Sequence, residues 1–394
     1  MVRFKLDLVL AFVLLAACSA GEGEWGGRVV ESEGVVRVEN PDRPLAAPGE
    51  VTAELAWVQT GPEAGDIWEV PRKIHVFRES IFLVDRQASQ IHRLTLSGDL
   101  KPSFGSPGGG PGQYGHITDA IPTQAGLFVV DMGNARVEVL SNEGNLLASH
   151  PLSQIVYTAS SLGPEAVALF GITESEPGWT KFEVDGKRNP FDFPDFPHPP
   201  GTEGPITRGS AWGDRLVRLR HTSPQVRIYS RDGRLVRVID LPLPPEDATD
   251  EEVEGIVQEV SSFLADDGVP AGVIQQQVDA IRARPREKLK FRKVEFDDGS
   301  GLAAIWEQNP EDFGSGNATL HLLTIDGLYL ASLEFDRPWG DFDLYGGVLY
   351  SLSRDPDTDL ATLLAHKLDV PEELMSRART FFQQGAPPTG PPTP

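Results

Sequence analysis

Two stretches of the chain repeat one pattern of apolar and polar positions at a separation of 46 residues. Ile81-Phe82-Leu83-Val84-Asp85 leads to Ile91-His92-Arg93-Leu94 and a turn at Ser97-Gly98. Leu127-Phe128-Val129-Val130-Asp131 leads to Val137-Glu138-Val139-Leu140 and a turn at Glu143-Gly144. The Asp-to-Gly interval is 13 residues in both copies. Short runs of β-branched and aromatic residues, punctuated by glycine turns, read as strands buried between neighbours. A period of about 40–50 residues holding several such strands predicts the blades of a β-propeller.

The same rhythm continues less regularly. Blade one is expected over 71–100 and blade two over 114–148. Blade three carries Ala166 to Phe170 and Trp179 to Val184, turning at Asp185-Gly186. Blade four carries Leu216 to Leu219 and Val226 to Tyr229, turning at Asp232-Gly233. Blade five carries Leu302 to Trp306 and Leu320 to Leu323, turning at Asp326-Gly327. Blade six carries Val348 to Leu352 and Ala361 to Lys367. Six units are counted, and the repeated acidic-Gly turn supports the count. A propeller must also close its ring, or it keeps a free strand edge. Glu54-Leu55-Ala56-Trp57-Val58 is an isolated strand placed to supply the outer strand of blade six. Ahead of it, Arg28–Val30 and Val35–Val38 flank a hairpin turn within a tether over 19–50. Residues 371–394 read as a short helix and a Pro-rich tail.

One segment departs from strand periodicity. Between blades four and five, 241–289 has helical spacing, with Thr249 and Glu252 as a capping-box pair. Val253, Ile256, Val257, Val260 and Leu264 follow at 3.6-residue intervals, and Ile274, Val278 and Ile281 mark a second helix. Such helices cannot belong to a blade. They are expected on a face of the disc, as a cap or as a rim to the channel.

The stretch Phe104-Gly105-Ser106-Pro107-Gly108-Gly109-Gly110-Pro111-Gly112-Gln113-Tyr114, with Leu127 to Asp131 and Met132-Gly133-Asn134-Ala135-Arg136-Val137-Glu138-Val139-Leu140, resembles an NHL repeat. The resemblance covers about 40 residues well and implies an all-β, NHL-like six-bladed propeller, a group whose secreted bacterial members are often lipoproteins. The residues also have a local explanation. Asp131 and Asn134 can bond their own turn, and Arg136 can pair with an acid. The glycines from 105 to 112 supply positive φ for a tight crossing. No Gly-Lys-Ser/Thr follows them, so they predict a structural loop rather than a phosphate cradle.

Cys18 is the one cysteine in 394 residues, which excludes a disulfide framework and a thiolate cluster. Arg3 and Lys5 precede an apolar run from Leu8 to Ala17 that is too short to span a bilayer. The ending Leu15-Ala16-Ala17-Cys18-Ser19 resembles a bacterial lipobox, which implies acylation of Cys18 and outer-membrane sorting. The formal charge of −23 becomes −24 once Arg3, Lys5 and Asp7 leave with 1–18. So acidic a body argues against nucleic acid and against adhesion to anionic lipid, leaving acyl chains as the membrane contact.

Candidate chemistry is sparse. The eight histidines are scattered and form no ligand pair. Asp355, Asp357 and Asp359 imitate the opening of a calcium loop, but Leu360 and His366 stand where glycine and glutamate are needed. No nucleophile elbow is present. Counting back from the repeat Asp of each blade reaches one slot on each innermost strand: Lys73, Asp119, Thr158, Arg208, Lys293 and Asp341. These predict a polar ring at the axial channel, with Lys73, Arg208 and Lys293 able to meet an anionic group beneath the helices. The expectation is a cell-envelope lipoprotein that binds or scaffolds a protein or small molecule, with no cofactor and no metal. The alternative is a lactonase or lyase with an axial-channel site, as in enzymes of related propellers.

Overall fold

A computed structural model describes residues 25–61, 68, 71–173, 176–191, 209–219, 225–243, 247–266, 271–283, 291–308, 317–336, 339–355, 358 and 360–385. The signal segment with Cys18, the slot residue Arg208, Asp357, Asp359 and the tail beyond 385 lie outside the described residues.

The chain opens with a hairpin, β1 (Arg28–Ser32) and β2 (Val35–Glu39), and then the lone strand β3 (Thr52–Thr60). Six blades follow. Blade one is β4 (Pro71–Phe77), β5 (Ser80–Asp85), β6 (Gln90–Leu94) and β7 (Leu100–Phe104). Blade two is β8 (Ile117–Pro122), β9 (Leu127–Asp131), β10 (Arg136–Leu140) and β11 (Leu146–Pro151). Blade three is β12 (Ile155–Ser161), β13 (Ala166–Thr173), β14 (Glu176–Glu183) and β15 (Arg188–Phe191). Blade four is β16 (Gly209–Trp212), β17 (Arg215–Leu219), β18 (Gln225–Tyr229) and β19 (Leu235–Asp240), followed by α1 (Asp250–Asp266) and α2 (Ala271–Arg282). Blade five is β20 (Phe291–Asp297), β21 (Leu302–Gln308), β22 (Ala318–Thr324) and β23 (Tyr329–Phe335). Blade six is β24 (Trp339–Tyr345), β25 (Val348–Arg354) and β26 (Ala361–Asp369), and α3 (Glu372–Gly385) comes last. This is a six-bladed β-propeller with a two-helix insertion.

β3 pairs antiparallel with β26 and completes blade six from the N-terminal side, as its sequence position predicted. The hairpin does something a tether would not. β2 lies parallel to β19, so β1 and β2 extend blade four to six strands. Arg37 pairs with Asp240 at 2.6 Å, and Asn40 bonds the carbonyls of Asp240 and Gly327. The outer edge of blade four is thereby covered.

Apolar side chains fill the spaces between blades. Ile74, Leu83 and Leu94 of blade one meet Tyr350, Leu352 and Leu363 of blade six, where the ring closes. Phe82 and Ile91 pack with Leu127 and Leu140 across blades one and two. α3 buries Leu374, Met375 and Ala378 against blades five and six. Each large apolar side chain among these contributes about 1.5–3 kcal/mol on burial.

The repeated turn glycines have two reasons to be glycine. Gly98, Gly144, Gly186 and Gly327 all have φ between +83° and +102°. Each also lies against the outer strand of the preceding blade, facing Trp57, Phe104, His150 and Ile239 respectively. A Cβ would sit 3.2 Å or less from those side chains. One residue type thus serves both turn and inter-blade packing.

Inner strands all begin on one face, here the lower, and end on the upper. The helical insertion joins β19 to β20 and so leaves from the lower face. Its capping box is formed: Glu252 N–H donates to Thr249 Oγ1 at 3.2 Å, and Thr249 N–H to the Glu252 carboxylate at 2.5 Å. α1 and α2 pack on each other through buried Val257 and Val278, with Arg282 bonded to Glu254.

Candidate functional site

Among the described residues, the inner strands of blades one, two, three, five and six share an irregularity at one level. In β4, Pro71 pairs with Asp85 but Lys73 pairs with Val84; one residue is skipped. The same step separates Ile117 from Asp119, Val156 from Thr158, Phe291 from Lys293 and Trp339 from Asp341. Each is a β-bulge, which bends the strand and re-aims the side chain after it. The residue just past the bulge is the slot residue read from the sequence. Lys73, Asp119, Thr158 and Lys293 line one axial cavity of about 170 Å³, and Asp341 sits beside it, bonded to Lys293.

A second polar level lies two residues further along each strand, as the period of two requires. It comprises His75, Ser160, Glu295 and Asp343, with Ile121 as its apolar member. These residues were missed in the sequence, although alternation from the slot residues points to them. Phe77, Pro122 and Ser161, at the ends of β4, β8 and β12, carry the cavity toward the upper face. The helices leave from the lower face and contribute none of the described lining residues. The expectation that they rim a site with Lys73, Arg208 and Lys293 thus gains no support from Lys73 and Lys293, the two described members of that set.

The charges at the two levels are paired across blades. Lys293 reaches Glu295 at 2.9 Å and Asp341 at 3.0 Å, and donates to the Phe342 carbonyl. Burial would push its pKa down, yet Asp341, Glu295 and Asp343 outweigh that and hold it above the ordinary lysine value. Burial likewise raises Asp341, but Lys293 and Lys73 bring it below the usual range. The ammonium of Lys293 is therefore matched internally rather than presented to an anion.

His75 Nε2 lies 2.7 Å from Asp119 Oδ1. Burial opposes charge on both, but their mutual attraction wins. Asp119 falls to about 2 and His75 rises above the ordinary histidine value. Asp343 behaves oppositely: burial and neighbouring Glu295 push it up to about 7, against Lys293 and His75. Asp119 Oδ2 is buried, with no hydrogen-bond partner among the described residues. The cavity itself is lined beside Asp119 by Thr158, Ser160 and Ser161, whose side chains carry hydroxyls.

Other suggestive clusters are structural. Ser103 Oγ lies 3.0 Å from His92 Nδ1, whose Nε2 is 3.7 Å from Asp85, in the order of a nucleophilic triad. His92 and Asp85 are fully buried between strands, so no substrate reaches them. The glycine loop turns its carbonyls inward: those of Gly109, Gly110 and Gln113 accept from Arg136, which also pairs with Asp131 at 3.4 Å. Asn134 bonds Asp131 and the Gly108 carbonyl. The loop is a structural crossing, as its sequence predicted. Among the described residues no group of three or more His, Cys, Asp or Glu could hold a metal.

No family model and no curated protein matches the chain. Solved structures do. A member of the DUF4221 family from Bacteroides vulgatus superposes with a TM-score of 0.58 at 11% identity, covering 82% of this chain and 99% of that one. A candidate exported protein of Bacteroides fragilis gives 0.54 at 9% identity, covering 84% and 98%. At such identities the shared feature is the propeller fold.

Proposed function

We propose that this chain is a lipid-anchored protein of the bacterial cell envelope whose propeller binds a small polar ligand at the upper mouth of its axial channel. The observation that carries the ligand reading is convergence: bulges in four blades aim Lys73, Asp119, Thr158 and Lys293 at one cavity. Its charges are largely paired, so it suits an uncharged, hydroxyl-bearing or N–H-bearing ligand. Such a ligand would bond the hydroxyls of Thr158, Ser160 and Ser161 of blade three. Polar groups converging in a concave site are the usual basis of orientation and specificity. Anchoring rests on Cys18, and an exported structural neighbour is consistent with an envelope location.

Native mass spectrometry of the membrane-purified chain tests the ligand reading. A small molecule should co-purify and be lost in Thr158→Val without loss of the folded state. An empty chain, or a molecule retained by the variant, overturns the reading. For anchoring, Cys18→Ser should move the chain from washed membranes to the soluble fraction, because its acidic body has little other affinity for the surface. Retention in membranes washed at high salt, which screens any binding to charged headgroups, refutes the lipid anchor.

A further inference from the structure

A second concave site lies away from the channel, on the upper face where blade four meets blade five. Its volume is about 300 Å³, and it is lined by Asp214, Arg215, Ser230, Arg231, Val236 and Arg237. Three guanidiniums in one cleft are unexpected on a chain of net charge −23. Each is held differently.

Arg215 stacks on the Trp212 ring, 4.6 Å from its centroid. Trp212 is itself fixed, stacked on Phe296 at 4.8 Å with its indole N–H bonded to Asp298 at 2.9 Å. Arg237 lies over Phe382 of α3 and donates to the Ile325 carbonyl and to Asp326 at 3.4 Å. Arg231 projects from the β18–β19 turn and is exposed. Among the described residues no carboxylate pairs with Arg215 or Arg231. Burial lowers the Arg237 pKa; Asp326 raises it, and the neighbouring Arg215 charge lowers it again.

The lining residues carry three positive charges and one negative, a balance of +2, with Asp326 beside Arg237 and Asp232 beside Ser230 as negative neighbours. Planar guanidiniums recognise tetrahedral oxyanions through paired N–H donors, and two of the three here are preorganised by aromatic stacking. We propose that this cleft is a binding site for a phosphate monoester group. Such a group carries about −1.5 to −2 at neutral pH. A small soluble phosphoester and a phosphatidic-acid headgroup present the same chemistry.

The test uses the full chain bearing Cys18→Ser, so that acyl chains do not dominate, at low ionic strength where surface charges are least screened. Calorimetric titration with glycerol 3-phosphate examines the soluble source. Flotation with phosphatidylcholine vesicles, with and without phosphatidic acid, examines the lipid source. Saturable binding in either arm is expected. It should weaken about ten-fold or more in Arg231→Ala and in Arg215→Ala, the loss of a charge-assisted bond. Arg282→Ala, on the distant helix pair, should leave it unchanged. Arg231 is exposed, so its variant folds even if Arg215→Ala does not. Absence of binding in both arms overturns the proposal, as does binding that Arg231→Ala leaves intact.

Discussion

The carboxylate of Asp341, in the last blade, accepts the backbone N–H of Ile74, in the first, at 3.2 Å. Two residues on, Asp343 accepts from Val76 N–H at 2.6 Å. The ring is therefore closed twice, by β3 at its rim and by side-chain-to-backbone bonds at its axis. Lys293 supplies the counter-charge that lets Asp341 remain ionised there.

That arrangement makes Lys293 a stability determinant. Lys293→Met should leave buried Asp341 and half-buried Glu295 without their nearest cation, and breaking a buried pair in this way costs about 3–5 kcal/mol. Denaturant unfolding should show the loss. A change below about 1 kcal/mol would mean that the carboxylates find water or another partner.

The His75–Asp119 pair sets a pH dependence with a definite sign. His75 has a folded pKa above its unfolded value, so its contribution is fully present below about 6.5 and is lost as pH rises through the folded value. Asp119 contributes above its unfolded value and loses that contribution as pH falls toward about 2. In Asp119→Asn, burial acts on His75 without its main opponent. An NMR titration of the imidazole should show its pKa dropping below the ordinary histidine value; an unchanged value would remove Asp119 as the cause.

The turn glycines allow strain to be separated from packing. Gly49 has φ +79° and open space within 4 Å of where a Cβ would stand, whereas at Gly327 a Cβ would stand 2.6 Å from Ile239. Gly49→Ala should cost about 1–2 kcal/mol, the left-handed penalty for an L-residue. Gly327→Ala should cost distinctly more. Equal losses in thermal melting would show that Ile239 yields freely.

Much of this fold was legible because it is local and repeated. The strand runs ending at Asp85 and Asp131, the Asp-Gly turns and the Thr249–Glu252 cap are each written within a few residues. The slot of Lys73, Asp119, Lys293 and Asp341 was reachable because the repeat carries register from blade to blade. The bulge before each of them was not, since a skipped residue leaves no mark in hydrophobic alternation. Nor was the docking of β2 on β19, whose contacts span some two hundred positions, such as Arg37 to Asp240. The arginine cleft was hidden for the same reason: Trp212 meets Phe296, and Arg237 meets Phe382, only once distant segments are packed.

The last prediction concerns the two N-terminal additions, which look alike in sequence and differ in consequence. Removing residues 25–40 deletes the hairpin, the Arg37–Asp240 pair and the buried Val29 and Val38. Blade four keeps its own four strands, so unfolding should remain a single transition at a lower temperature. Extending the deletion through residue 60 also removes β3 and uncovers β26. Trp57 goes with it, losing its bond to the Leu96 carbonyl at 3.1 Å and its contact with Tyr350. That side chain joins blade six to blade one, so its loss opens the seam of the ring. Calorimetry should then show a broadened transition, and Trp57→Ala alone should reproduce part of the effect, at about 1–3 kcal/mol for this half-buried side chain. If the longer deletion melts as sharply as the shorter one, the axial bonds from Asp341 and Asp343 suffice to hold the ring, and closure by β3 is dispensable.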